Sequence, residues 1–324
     1  MIEIDWAEEA GRLRAAAEGE SDWNATVARS LVRDTDQVVA DVGCGGGGMA
    51  KALADALPDA TVVAVDADPD VLEQAREHTA GRVRCALASM DDGAEPLRRA
   101  IAAPADLIWA SASVHHAADQ QATVGALASL LAPGGRLALA EGGLPARHLP
   151  WDLGIGEPGL ELRLDLAQDR WFKVMRESLP GSVPMRYGWT DALTRAGLTD
   201  VTTRSVLTEA SAPLAAERQD GLIASFRTRI ARLTGDEGSG HSSGHGSGHG
   251  SGHGSGHGSG HGHGRGAGHG HGQGAVGADE EWLSPEDVEV WRQLLDPDSP
   301  YYLGRRTDLA VLSVRSIHVG HAPR

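Results

Sequence analysis

The feature that most limits what this chain can fold into is the spacing of its short apolar runs. Segments 37–42, 61–65, 82–87, 106–110 and 136–140 are apolar or β-branched runs of strand length. Stretches of helical character separate several of them: 49–57, 69–79 with Pro69 at its start, and 120–131. Strands alternating with helices imply a parallel sheet covered on both faces. Right-handed crossovers then leave a doubly wound α/β fold as the main option.

After Glu141 the pattern changes. Helices are expected at 160–179, which carries Trp171 and Phe172, and at 189–196, closed by Gly197. A sixth strand reads over 201–207 and a seventh over 309–319. Helical stretches follow at 213–233 and at 284–295, the latter opening on the N-cap signal Ser284-Pro285-Glu286. Between these two lies a tract, 238–274, that repeats Gly-Ser-Gly-His. It holds nine histidines: His241, His245, His249, His253, His257, His261, His263, His269 and His271. With no apolar content it cannot bury a core, and it is expected to be disordered. The chain thus divides into an N-terminal helical cap (1–35), a Rossmann-like core (36–210), a helical insertion (211–237), the disordered tract (238–274), and a C-terminal helix with the final core strand (275–324).

Composition narrows the partners. Of the 324 residues, 41% are hydrophobic but only 4% aromatic, so the core is built mainly from Ala, Val and Leu. Lys and Arg number 29 against 45 Asp and Glu, a formal charge of −16. That balance argues against nucleic acid as the partner. Cys44 and Cys85 stand in no metal-ligand spacing. Segment 1–11 is acidic, without the apolar stretch of a signal peptide, and no run approaches the roughly 20 apolar residues of a membrane span. A cytoplasmic enzyme is the expectation. Its oligomeric state is left open.

The chemistry starts at the glycine-rich segment Asp41-Val42-Gly43-Cys44-Gly45-Gly46-Gly47-Gly48, which follows the first strand. Such a loop admits close approach of a ligand to the backbone and frees amide N–H groups at a helix start. Taken alone it is ambiguous. Gly43, Gly45 and Gly48 satisfy G-x-G-x-x-G, whereas Gly43, Gly45 and Gly47 satisfy G-x-G-x-G. Asp66 ends the second strand about 20 residues beyond the loop, where a carboxylate suits a ribose diol. Asp68 is the better cap for the helix at Pro69.

Three segments together resemble the class I S-adenosylmethionine-dependent methyltransferases. Segment 39–47 resembles their first motif, with an acidic residue, Asp41, ahead of the glycine loop. Segment 131–137, with Pro133-Gly134-Gly135, resembles the turn before their fifth strand. Segment 106–116, ending in the pair His115-His116, resembles their fourth-strand motif. The resemblance covers about 22–206, and 307–319 fits the family's last strand. It implies a seven-stranded, mostly parallel sheet of order 3-2-1-4-5-7-6 with the last strand antiparallel, and S-adenosyl-L-methionine as cofactor. Asp41, Gly43, Gly45 and Gly47 would surround its methionine part. Asp66 would hold the ribose, Ala67 would lie beside the adenine, and Ala110 and Ser111 would pass near the sulfonium. One departure concerns the adenine: Ala88 stands where many relatives carry an acid, leaving Ser89 and Met90 to line that pocket and Asp91 as a substitute.

An oxygen or nitrogen acceptor can require a base, and His115 and His116 follow the fourth strand at the edge where doubly wound sheets bind ligands. They are the candidate catalytic pair. Glu141 lies at the same edge, either orienting a substrate or accepting backbone N–H bonds. Trp6, Trp23, Trp151, Trp171 and Tyr187 either line a substrate lid or anchor the added helices. The function expected is methyl transfer to a small-molecule acceptor. The alternatives are an NAD-dependent oxidoreductase, and a metal-binding or regulatory protein on the same scaffold. No metal site is expected in the core; the tract histidines are possible incidental binders of a divalent transition metal.

Overall fold

The computed structural model describes residues 6–235 and 281–324. The histidine tract, with its expected disorder and metal affinity, lies outside the described residues. The order along the chain is α1 (Trp6–Gly19), α2 (Ser21–Leu31), β1 (Val38–Val42), α3 (Gly48–Ala56), β2 (Thr61–Asp66), α4 (Pro69–His78), β3 (Arg84–Leu87), α5 (Ala94–Ile101), β4 (Ala105–Ser111), α6 (Gln120–Ala128) and β5 (Leu131–Arg147). Then come α7 (Leu160–Ser178), α8 (Trp189–Arg195), β6 (Thr199–Ala210), α9 (Ala216–Thr234), α10 (Pro285–Leu295) and β7 (Val311–His321).

All seven strands form one sheet of order β3-β2-β1-β4-β5-β7-β6. The first five pair in parallel, and β7 runs antiparallel to both β5 and β6. This is the expected doubly wound fold. Alternate residues of each strand serve opposite layers. Val39, Val62, Leu107 and Trp109 pack toward α2, α3 and α4, while Ala40, Val63, Ile108 and Leu137 pack toward α5, α6 and α8. Both faces being covered explains why the strands read as continuous apolar runs. A third cluster joins α7, α9 and α10 through Leu164, Trp171, Phe226 and Trp291.

The helix starts follow their caps. Asp68 accepts from the amides of Asp70 (2.9 Å) and Val71 (3.0 Å) ahead of Pro69, and Ser284 accepts from Asp287 N (3.1 Å) ahead of Pro285. The fifth strand differs most from its expectation of 136–140. Its turn, Pro133-Gly134-Gly135, lies inside the strand: Ala105 pairs with Leu131 and Leu107 with Arg136, so the residues between loop out. Beyond Ala140 the strand continues to Arg147, because β7 supplies partners for Gly143, Leu144 and Arg147. Gly142 falls in a register shift between Ala140 and Gly143, and Pro145 in a second one between Leu144 and Arg147.

At the opposite edge from the strand carboxyl ends, Arg136 is 4% exposed and bonds both carboxylate oxygens of Asp36, itself 4% exposed. The guanidinium also donates to Leu31 O (2.8 Å) and Asp106 O (3.2 Å). One side chain thereby ties α2, the approach to β1, β4 and β5. Arg136→Ala leaves Asp36 as a buried unpaired charge and is expected to cost about 3–5 kcal/mol. Urea unfolding at pH 7 measures this, and the apolar double replacement Asp36→Leu/Arg136→Met should recover most of the loss.

Candidate active site

The loop after β1 is fixed from β2. The amides of Gly43 and Cys44 donate to Val65 O at 2.8 and 3.1 Å. Gly45 N donates to Asp66 Oδ2 (3.0 Å), while Asp66 Oδ1 accepts from Ala67 N (2.9 Å) and Asp68 N (3.3 Å). Two glycines of the run answer to packing. A Cβ on Gly46 would stand 2.4 Å from Leu13 O of α1, and one on Gly47 would stand 3.0 Å from Ala75 of α4.

Over this loop lies a cavity of about 470 Å³. Its base is Asp41, Gly43, Gly45 and Asp66. One wall is Ala67 with the run Ala88, Ser89, Met90 and Asp91. The opposite wall is Trp109, Ser111, Ser113 and His116, from β4 and the turn after it. Leu13, Ala17, Trp23 and Asn24 of α1 and α2 form the roof, and Arg315 of β7 closes the far side.

The structure brings together Asp41, Gly43, Gly45, Asp66, Ala67, Ser89, Met90, Ser111 and His116 of the residues singled out from the sequence. Three others stand apart from the lining. Gly47, at φ +77°, precedes α3 as its N-cap. Ala110 is buried on the other face of the sheet, with Val42 and Leu139. His115 turns to Glu141, its Nδ1 2.7 Å from Oε2. Ala88, where an acid was the family expectation, does line the cavity beside Asp91, whose Oδ1 accepts from Ala118 N (3.0 Å).

Burial sets the electrostatics. Asp41 is 2% exposed, and its Oδ2 has no hydrogen-bond partner among the described residues. Burial, opposed by the Ala50 amide and reinforced by the charge of Asp66, pushes its carboxyl up to about 7. Burial likewise raises Asp66, against the amides of Gly45, Asp68 and Ala67. His116 is pushed down to about 3, first by burial and then by the charges of His115, Arg176 and Arg232. It is neutral at physiological pH and a weak base there. The bulge in β5 aims Glu141 at the turn after β4, where Oε1 accepts from Ser113 N (3.0 Å) and Val114 N (2.8 Å). The two imidazole rings lie against each other, 4.2 Å between centroids, but only His115 is held by a buried carboxylate and only His116 lines the cavity.

Trp109, Arg315 and the roof residues Leu13, Ala17 and Asn24 were not anticipated. Trp109 was findable, because Asp41 and Trp109 are register partners in parallel strands and so share a face. Arg315 has no local signal. Of the aromatic residues flagged, Trp23 lines the cavity, 6.2 Å from Trp109 between ring centroids. Trp171 is buried in the helical cluster, Tyr187 donates to Gln121 Oε1 (2.9 Å), and Trp151 is exposed. The side chain of Trp6 lies outside the described residues.

Residues 40–137 match the family model described as "Methyltransferase domain". Over 145 residues the chain is 34% identical to trans-aconitate 2-methyltransferase of Methylobacterium radiotolerans, covering 40% of this chain and 52% of that protein. Over 102 residues it is 38% identical to ubiquinone biosynthesis O-methyltransferase of Xylella fastidiosa, covering 31% and 39%. The chain therefore spans about half or less of the length of these curated relatives. No helix among the described residues is long and apolar enough to cross a membrane.

The raised carboxyl of Asp41 makes the binding of a cationic ligand against it depend on pH. Its carboxyl, raised to about 7, is neutral below that pH and anionic above it. A ligand bearing an ammonium favours the anion, so binding tightens as pH rises through 7. Calorimetric titration with S-adenosylhomocysteine should give up to roughly tenfold tighter binding at pH 8 than at pH 6. Asp41→Asn should flatten that dependence.

Proposed function

We propose that this chain, which carries a class I S-adenosylmethionine-dependent methyltransferase domain, transfers the cofactor's methyl group to a small-molecule acceptor. The observation that carries the reading is Asp41: a fully buried carboxylate oxygen without a partner among the described residues, facing a cavity over a glycine loop. With Asp66 and Asp91 in the same lining, this is a hostile place for a pyrophosphate and a fitting one for a cationic group. The relatives named above are, by name, a trans-aconitate and a ubiquinone-biosynthesis methyltransferase, and both names support a small-molecule acceptor.

Bound there, the cofactor supplies an electrophilic methyl on a sulfonium. Asp41 would hold the ammonium of its methionine part, with Gly43 and Gly45 letting the backbone lie close. Asp66 retains one lone pair, on Oδ2, for a ribose hydroxyl beyond the three amides it accepts. Ala67, Ser89 and Met90 would flank the adenine. Ser111 and His116 belong to the wall where the acceptor is presented, and Trp23 and Trp109 exclude water from it. His115, gripped by Glu141, keeps the turn that carries Ser113 and His116 in place.

The test is thermal unfolding with each candidate cofactor. S-adenosylhomocysteine at about 100 times its Kd should stabilise the protein by about 2.7 kcal/mol, and NADH should not. Stabilisation by NADH alone would sink the reading. Asp66→Ala, which removes both the loop clamp and the ribose partner, should weaken S-adenosylhomocysteine binding by at least about tenfold.

A further inference from the structure

S-adenosylmethionine carries two positive charges of different character. Its ammonium has N–H groups to donate, and the open oxygen of Asp41 suits them. Its sulfonium has no hydrogen to donate, because three carbon substituents surround the charged sulfur. A cation of that kind is well met by the face of an aromatic ring, and by tryptophan above the others.

The lining holds such a ring on a central strand. Trp109 of β4 is 1% exposed and lines the cavity. Its register partner on β1 is Asp41, so the indole and the carboxyl with the unpartnered oxygen project from neighbouring strands on one face of the sheet. On the other side its partner is Ala138 of β5, whose small side chain leaves room for an indole. Elsewhere β4 fills its two layers with aliphatic residues, among them Leu107 and Ile108. The one indole of the strand stands where the strand meets the cavity.

The second indole of the lining is already engaged. The guanidinium of Arg315 stands 4.6 Å from the Trp23 ring centroid and is itself paired with both carboxylate oxygens of Glu20. Trp23 backs Trp109 at 6.2 Å between centroids, tilted by 58°. Trp109 thus remains as the aromatic ring beside Asp41 for a cation that arrives with a ligand.

We infer, resting on the cofactor assignment above, that Trp109 binds the sulfonium, its indole face separating the loaded cofactor from the spent one. Methyl transfer breaks the carbon–sulfur bond, leaves the electron pair on sulfur and passes the methyl carbon to the acceptor. The sulfur is then a neutral thioether, and its attraction to the electron-rich ring face is lost. Asp41 and Asp66 meet parts of the ligand that both forms share. The ring adds a preference that those carboxylates do not supply, and it favours release of the product.

The experiment measures equilibrium binding of S-adenosylmethionine and of S-adenosylhomocysteine to the full chain by calorimetry. Trp109→Leu should weaken S-adenosylmethionine by at least about fivefold and S-adenosylhomocysteine by less than about twofold. Equal loss for the two ligands, or no loss for either, overturns the inference while the cofactor assignment stands. Failure of the unsubstituted chain to bind either ligand overturns that assignment, and the inference with it. A second series serves if the leucine variant does not fold. Fluorinated tryptophans placed at position 109 keep the shape of the ring and drain its π-density. Affinity for S-adenosylmethionine should fall with each added fluorine while that for S-adenosylhomocysteine stays constant; a flat series for S-adenosylmethionine, or a parallel fall for both, overturns the assignment.

Discussion

One carboxylate organises the site. Asp66 accepts the amide of Gly45 with one oxygen and those of Ala67 and Asp68 with the other, so the end of β2 dictates the path of the loop after β1. Those bonds are made to backbone and take three of the carboxylate's four lone-pair sites, leaving one on Oδ2 directed elsewhere. The same group therefore builds the loop and remains available to a ligand lying on it. The loop in turn receives α1 and α4 against glycines that have no room for a side chain. Glycine loop, strand end and helical roof are parts of one packing solution.

Much of this was legible in the sequence because it is local. The strand runs are apolar on both faces, the glycines follow β1 directly, and Asp41 and Asp66 sit at strand ends where sequence and position coincide. The sheet order came with the resemblance rather than from periodicity, and the structure has that order. What stayed hidden depends on register between distant segments. Arg315 reaches the cavity only because β7 pairs antiparallel with β5 across a bulge, and nothing near residue 315 announces it. The bulge also decides the role of Glu141. Seen as a residue at a strand end it had two readings; the structure spends its oxygens on Ser113, Val114 and His115.

The division of the two adjacent histidines follows from the same bulge. Their rings stay in contact, 4.2 Å between centroids with Phe172 beside both, yet only His115 meets Glu141 and only His116 lines the cavity. A similar unit recurs at the far end of β5. Glu161 accepts from the amides of His148 and Leu149, both at 3.0 Å, and meets His148 Nδ1 at 2.7 Å. There the amides and the imidazole outweigh burial and hold the Glu161 carboxyl below its usual range. The bulge within β5 and the segment just past its end are thus each tied to a neighbouring element by a buried glutamate.

The contact between α1 and Gly46 has a kinetic meaning. The helix backbone rests on the loop with no side chain between them, and Arg14 extends the seam by donating to Gln74 O (3.1 Å). A ligand seated on the loop is covered by a helix that cannot slide aside without breaking that seam. Exit past that seam requires α1 to lift away, a local opening whose free energy is a property of the roof.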